Sequence, residues 1–264
     1  MKAVQTAISK IVQKSILILL TVFITLALSN PAIAQIYEKG DVNIGVEGGV
    51  QFTNVSDSHT INTPTGGVGF SLGPFVDYHV SPTFKLRLAL NYDNRKYGIN
   101  EPPYAIPDTS GGYLENSYFQ FNRDYSINYL TIPLSVFYVK GNDKFKIYIQ
   151  LSFYYSLYLN AHQKGQNHLY IDSTDYQQIT DPEIKVGHNI IEVDEAVEGL
   201  FNSSDFGFNF YFGGIIKLTH NLAITIAPGF TVGMANVYEN PNRKSKWSRI
   251  FKINAGIVYT LKKN

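Results

Sequence analysis

Between Phe145 and Leu159 every second residue is apolar or aromatic: Phe145, Ile147, Ile149, Leu151, Phe153, Tyr155, Leu157 and Leu159. The residues between them, Lys146, Tyr148, Gln150, Ser152, Tyr154, Ser156 and Tyr158, carry polar groups. A period of two belongs to a strand with two unlike faces. This run far exceeds the usual strand of about 5–6 residues. A long strand that is greasy on one side and polar on the other suits a wall between hydrocarbon and a hydrated interior.

The same alternation marks Val42–Phe52, Val68–Val80, Phe84–Arg95, Asp124–Val139, Asp205–Leu218, Leu222–Val237 and Trp247–Leu261. With Phe145–Leu159 these make an even set of strands. The connections alternate in length. Ser81-Pro82, Gly141-Asn142-Asp143 and His220-Asn221 are short turns, whereas Thr53–Gly67, Lys96–Arg123, Asn160–Ser204 and Tyr238–Lys246 are long. Short turns at one rim and long loops at the other are the layout of an outer-membrane barrel, with both chain ends on the short-turn side. The expected fold is all-β: an eight-stranded antiparallel up-and-down transmembrane β-barrel preceded by a cleavable signal peptide.

The second face of each strand is small or polar. An eight-stranded barrel is just wide enough for side chains to fill it, so the interior is expected to be a polar plug. Buried charges need partners. Glu47, Asp77 and Asp93 are the expected acids of a lumen network, and Lys85, Arg87, Arg95, Lys146, Lys217 and Lys252 the expected bases. Pro74, Pro133 and Pro228 fall inside strand runs. Each removes a ladder donor, which points to bulges or bends there.

The leader has its own logic. Lys2, Lys10 and Lys14 precede an apolar stretch from Ile16 to Leu28, and Ala32-Ile33-Ala34 forms an A-x-A cleavage site. The apolar stretch is short of the roughly 20 residues that a spanning helix needs. Residues 1–34 therefore read as a signal peptide and 35–264 as the barrel domain, with the mature chain beginning at Gln35. The chain has no cysteine. Disulfides, thiolate metal sites and cysteine nucleophiles are excluded. A net charge of +1 gives no sign of a nucleic-acid partner.

Tyr129-Leu130-Thr131-Ile132-Pro133-Leu134, followed by Phe137-Tyr138, a short turn and a long strand, resembles the mid-chain strand of the porin-family or PorT-like outer-membrane barrels of Bacteroidetes. The Gly-rich first strand, Gly45-Val46-Glu47-Gly48-Gly49, looks like theirs too. The resemblance implies a barrel in the Gram-negative outer membrane, and it carries no catalytic residues. One member of that group takes part in type IX secretion. The terminal Lys262-Lys263-Asn264 departs from the usual terminal aromatic.

Two loops are candidates for function. Asn160–Ser204 holds Asp172, Asp175, Asp181, Glu183, Glu192, Asp194, Glu195 and Glu198, either a cation site or a solvated loop. Their spacing fits no EF-hand. Lys96–Arg123 holds Tyr97, Tyr104, Tyr113, Tyr118, Phe119 and Phe121 with several prolines, which could grip a partner, cover the barrel mouth or line the membrane surface. His162 and His168 read as exposed, and their spacing is not that of a metal site. The expectation is a non-enzymatic barrel without cofactor or metal. Membrane lipid surrounds its wall, and an extracellular partner could dock on loops 96–123 and 160–204. A small-solute or ion pore, a type IX secretion-associated barrel, a lipid-modifying enzyme and a soluble ligand-binding barrel are the alternatives.

Overall fold

A computed structural model describes residues 39–56, 63–100, 103–107, 112–175, 185–238 and 247–261. Residues 1–34, the expected signal peptide, lie outside them. The strands are β1 (Val42–Ser56), β2 (Thr63–His79), β3 (Phe84–Ala89), β4 (Asn91–Asn100), β5 (Tyr104–Pro107), β6 (Tyr113–Gly141), β7 (Phe145–Ile171), β8 (Gly187–Val197), β9 (Ser204–Lys217), β10 (Leu222–Gly233) and β11 (Trp247–Leu261). β3 and β4 together form one wall strand. All pairings are antiparallel, and β1 against β11 closes the ring, from Val42↔Leu261 to Ser56↔Trp247. The wall is a hydrogen-bonded ring of 8 strands. Closure leaves no sheet edge in the wall, the condition for a strand-built structure to cross hydrocarbon.

The apolar face points outward. Leu151, Phe208 and Ile226 are 59%, 55% and 50% exposed, while their neighbours Ser152, Asn209 and Ala227 are buried. On β1 the exposed row runs Ile44, Val46, Val50 and Phe52, matching the about 9–11 residues of a tilted membrane-crossing strand. Aromatic pairs flank this band on the outside: Phe84 with Tyr138 at the short-turn end, and Phe70 with Tyr92 and Phe52 with Phe251 toward the other end.

Each short turn is fastened by its own side chain. The Ser81 hydroxyl accepts from the Phe84 N–H at 3.0 Å, the Asn142 Oδ1 from Phe145 N–H at 2.8 Å, and Thr219 Oγ1 from Leu222 N–H at 3.1 Å.

The prolines do not cause the expected bulges. Phe75↔Ala89 and Leu72↔Tyr92 keep one register on either side of Pro74. Leu88↔Leu134 and Asn91↔Thr131 do the same around Pro133, as do Ile226↔Gly214 and Gly229↔Tyr211 around Pro228. Each proline simply leaves pairs out of one ladder. Leu90, opposite Pro74 on β2 and diagonal to Pro133 on β6, is the gap between β3 and β4.

The larger correction concerns the loops. β6 runs for 29 residues and β7 for 27, and β8 continues the sheet beside β7. Segments 96–123 and 160–204 are thus largely two tall hairpins, β4/β5–β6 and β7–β8, joined side by side through β6 and β7. A bulge ends the alternation of β7 at Leu159 although the strand continues. Tyr129 faces Tyr158 but Asn128 faces Asn160, so Leu159 is an extra residue. Such an insertion reverses which residues face inward. Tyr154 and Ser156 are buried below it, Ala161 and Gln163 above it.

Candidate functional site

The lumen is filled in two charged layers and a lid. In the lower layer, near the short turns, Asp77 takes the Lys85 ammonium at 2.5 Å and Arg87 Nε at 2.6 Å. Arg87 Nη1 also reaches Glu47 at 2.5 Å. The register sets this up: Asp77 lies directly across the β2–β3 ladder from Arg87, and His79 from Lys85. Aromatic rings complete the layer. The Arg87 guanidinium stands 3.5 Å from the Phe75 ring centre, and the Lys85 ammonium 4.2 Å from that of Phe137. Gly213 leaves room for the Tyr148 ring on the neighbouring strand.

In the upper layer Asp93 accepts from Lys252 Nζ at 3.1 Å and from the Thr131 hydroxyl at 2.7 Å. Arg95 donates to Asp205 at 2.6 Å and to Ser156 at 3.0 Å, and Tyr154 donates to Asp205 at 2.8 Å. Four carboxylates, Glu47, Asp77, Asp93 and Asp205, meet four cations, Lys85, Arg87, Arg95 and Lys252. Each layer is balanced, two against two, so neither attracts ions of one sign. A space of about 10 Å³ beside Asp93 and Tyr211, and one of about 20 Å³ beneath the lid, have room for little more than single waters.

The lid is aromatic. Tyr97 stacks on Tyr125 with ring centres 5.5 Å apart, Phe201 stacks on Tyr238 at 5.8 Å, and Tyr97 meets Phe201 edge-on at 6.2 Å. Phe201 and Tyr238 also form a β-bridge between the segments after β8 and β10. Ile99, Ile127, Tyr129 and Ala161 pack against these rings.

Of the nominated lumen residues, Glu47, Asp77, Lys85 and Arg87 come together in one cluster, and Asp93, Arg95 and Lys252 in the other. Lys146 and Lys217 lie lower, at the short-turn end, outside both clusters. Asp205 is a fourth acid, outside the expected set. It sits in lumen phase one residue before Phe206, so the alternation itself could have found it. In the family-like segment Tyr129 and Pro133 face inward while Ile132 and Leu134 face lipid. Leu130 is half-buried on the outward side, and the Tyr129 ring lies 4.5 Å from the Arg95 guanidinium.

Above the membrane band, the described acids of 160–204 do not converge. Asp172 caps Thr174, Asp175 accepts from the Ser117 hydroxyl at 2.7 Å, and Glu195 accepts from Gln163 at 2.6 Å. Asp194 pairs with His162 and, at 3.1 Å, with Lys164. Those hydrogen bonds hold its carboxyl below the ordinary aspartate value. Asp181 and Glu183 lie outside the described residues. The aromatics of 96–123 split between two roles: Tyr97 is in the lid, whereas Tyr104, Tyr113 and Tyr118 are exposed. His79 is buried at the barrel base against Asn43.

A closed ring with a lipid-compatible belt, a charge-matched interior and tall hairpins at one end defines an outer-membrane barrel. The family model described as "Outer membrane protein beta-barrel domain" matches residues 33–183, more than half of the chain. The chain belongs to that family and is a protein of the Gram-negative outer membrane. No curated protein matches it. Among solved structures, it is similar to OprG of Pseudomonas aeruginosa (11% identity, 87% of this chain and 100% of that one, TM-score 0.46). It is also similar to Ail of Yersinia pestis (10%, 84% and 99%, TM-score 0.38) and to Neisserial surface protein A (13%, 82% and 96%, TM-score 0.38).

Proposed function

We propose that this barrel is a non-catalytic anchor that displays a β-sheet outside the cell for a protein partner, and that residues 1–34 are its cleaved export signal. One observation carries the reading: the lumen is occupied by paired side chains, whereas β6, β7 and β8 build a sheet well beyond the lipid belt. The displayed hairpin is acidic. Between residues 160 and 200 the described part holds Lys164 and Lys185 against Asp172, Asp175, Glu192, Asp194, Glu195 and Glu198. Among the described residues, β8 pairs with β7 alone. Its free edge, with Ile190 and Ile191 exposed, suits the addition of a partner strand, and its charge favours a cationic one. The YLTIPL segment supports kinship with the PorT-like barrels.

The balanced, filled interior argues against the pore. Reconstituted in a planar bilayer, the intact chain is expected to be electrically silent. Protease added to intact cells is expected to cut within 160–204 and leave the membrane-embedded part whole. Steady unitary currents would replace this reading with the pore, and protection of 160–204 would remove the displayed sheet.

A further inference from the structure

The β7–β8 hairpin carries a feature that neither partner display nor the barrel requires. His168 on β7 and His188 on β8 are separated by twenty residues in sequence, yet His168 Nδ1 lies 3.0 Å from His188 Nε2. The ring centres are 5.1 Å apart and the planes tilted by 31°. The register produces the contact. Tyr170 is opposite His188 and His168 is opposite Ile190, so the two imidazoles meet diagonally on one face of a paired ladder. Sequence spacing could not show this, because the hairpin had to be known first.

We propose that His168 and His188 form a bidentate site for a divalent transition-metal ion, Cu²⁺ or Zn²⁺. Imidazole suits both ions, with Cu²⁺ the stronger binder in the general order of affinities. Two nitrogens bound to Zn²⁺ at about 2.0–2.1 Å in tetrahedral geometry stand roughly 3.3–3.4 Å apart. The present separation needs to open by only a few tenths of an ångström. His188 is exposed and His168 half-buried on the outward face of the hairpin, so an ion reaches them without unfolding anything. Strand pairing on both sides of β7, with β6 through Gln120↔His168 and with β8, holds one ligand on a framework that pre-orients it. No third histidine or carboxylate among the described residues joins the pair, so water completes the coordination shell. That composition makes an exchangeable, surface-displayed site rather than a structural one.

The test uses the untagged full chain in detergent micelles, titrated with Cu²⁺ and followed by electron paramagnetic resonance, and with Zn²⁺ by calorimetry. One Cu²⁺ per chain is expected, with hyperfine coupling from two imidazole nitrogens. His168→Gln and His188→Gln should each weaken binding on the order of 100-fold, because the second ligand no longer acts intramolecularly. His162→Gln, on the same strand but paired with Asp194, should leave it unchanged. All of these variants should retain the heat-dependent gel shift of a folded barrel. A spectrum with one nitrogen ligand, binding that survives either substitution, or a loss caused by His162→Gln instead, would overturn the assignment. None of these outcomes bears on whether the β8 edge accepts a partner strand.

Discussion

Asp77→Asn is expected to lower the unfolding free energy of the barrel by about 3–5 kcal/mol, the range for breaking a buried ion pair from one side. Asp77 is fully buried and serves two cations at once, Lys85 at 2.5 Å and Arg87 through both Nε and Nη2. An amide has nearly the same shape and no charge. Arg87 keeps Glu47 and the Phe75 ring, but Lys85 loses its directly paired carboxylate and is left as a buried ammonium with the face of Phe137 and the more distant Glu47 charge, which Arg87 already engages. Glu47→Gln should cost much less, because Arg87 retains Asp77 and the Glu47 side chain is at the margin of the cluster. Adding Lys85→Met to Asp77→Asn should recover a large part of the loss, since the stranded charge goes with it. Urea unfolding of the protein folded into phospholipid vesicles measures all three. A cost below about 1 kcal/mol for Asp77→Asn, the level of exposed pairs, would mean that water reaches the layer and that the plug is loose.

Leu151→Arg is the second large effect. Leu151 lies midway along the outward row of β7, between Phe145 and Leu159, and is 59% exposed. In water that exposure would make the change nearly harmless. In hydrocarbon, a cation at mid-depth on a barrel costs about 2–4 kcal/mol, falling to about 0–1 near the interface. The same substitution at Leu159, where the belt gives way to Asn160 and His162, should therefore fall in the lower range. The ratio of the two effects, measured in the same vesicles, locates the belt. Equal effects at Leu151 and Leu159 would show that the outward row does not contact lipid in the depth order described.

How much of this was legible beforehand follows from the period of two. Alternation is local, so Ile147–Leu157 on β7 and Phe206–Phe212 on β9 declared their faces directly. The charged residues of the lumen could be named for the same reason. Their partners could not, because Arg95–Asp205 and Lys252–Asp93 cross the barrel and depend on how far each strand is staggered. The hairpins above the membrane look like loops in the sequence for two reasons. The bulge at Leu159 shifts the phase by one, and from Asn160 onward the outward face of β7 meets water while the inward face mixes Ala161, Gln163 and Leu169, so no greasy row marks the strand. Ile190-Ile191-Glu192-Val193 lies within β8, where apolar side chains fall on both faces rather than in one row. His168 and His188 came together only through that unseen pairing.

The most direct test follows from the absence of native cysteine. Single cysteines placed at successive positions from 145 to 171 and spin-labelled in lipid vesicles report contact with oxygen in hydrocarbon and with a water-soluble relaxation agent. Oxygen contact should rise at 147, 149, 151, 153, 155 and 157 and fall at the residues between. Past the bulge at Leu159 it should give way to water contact. A row in which 148, 150, 152 and 154 take the oxygen contact, or one in which the alternation continues unshifted and lipid-facing to 171, would contradict an outward greasy face around a filled, charge-matched lumen.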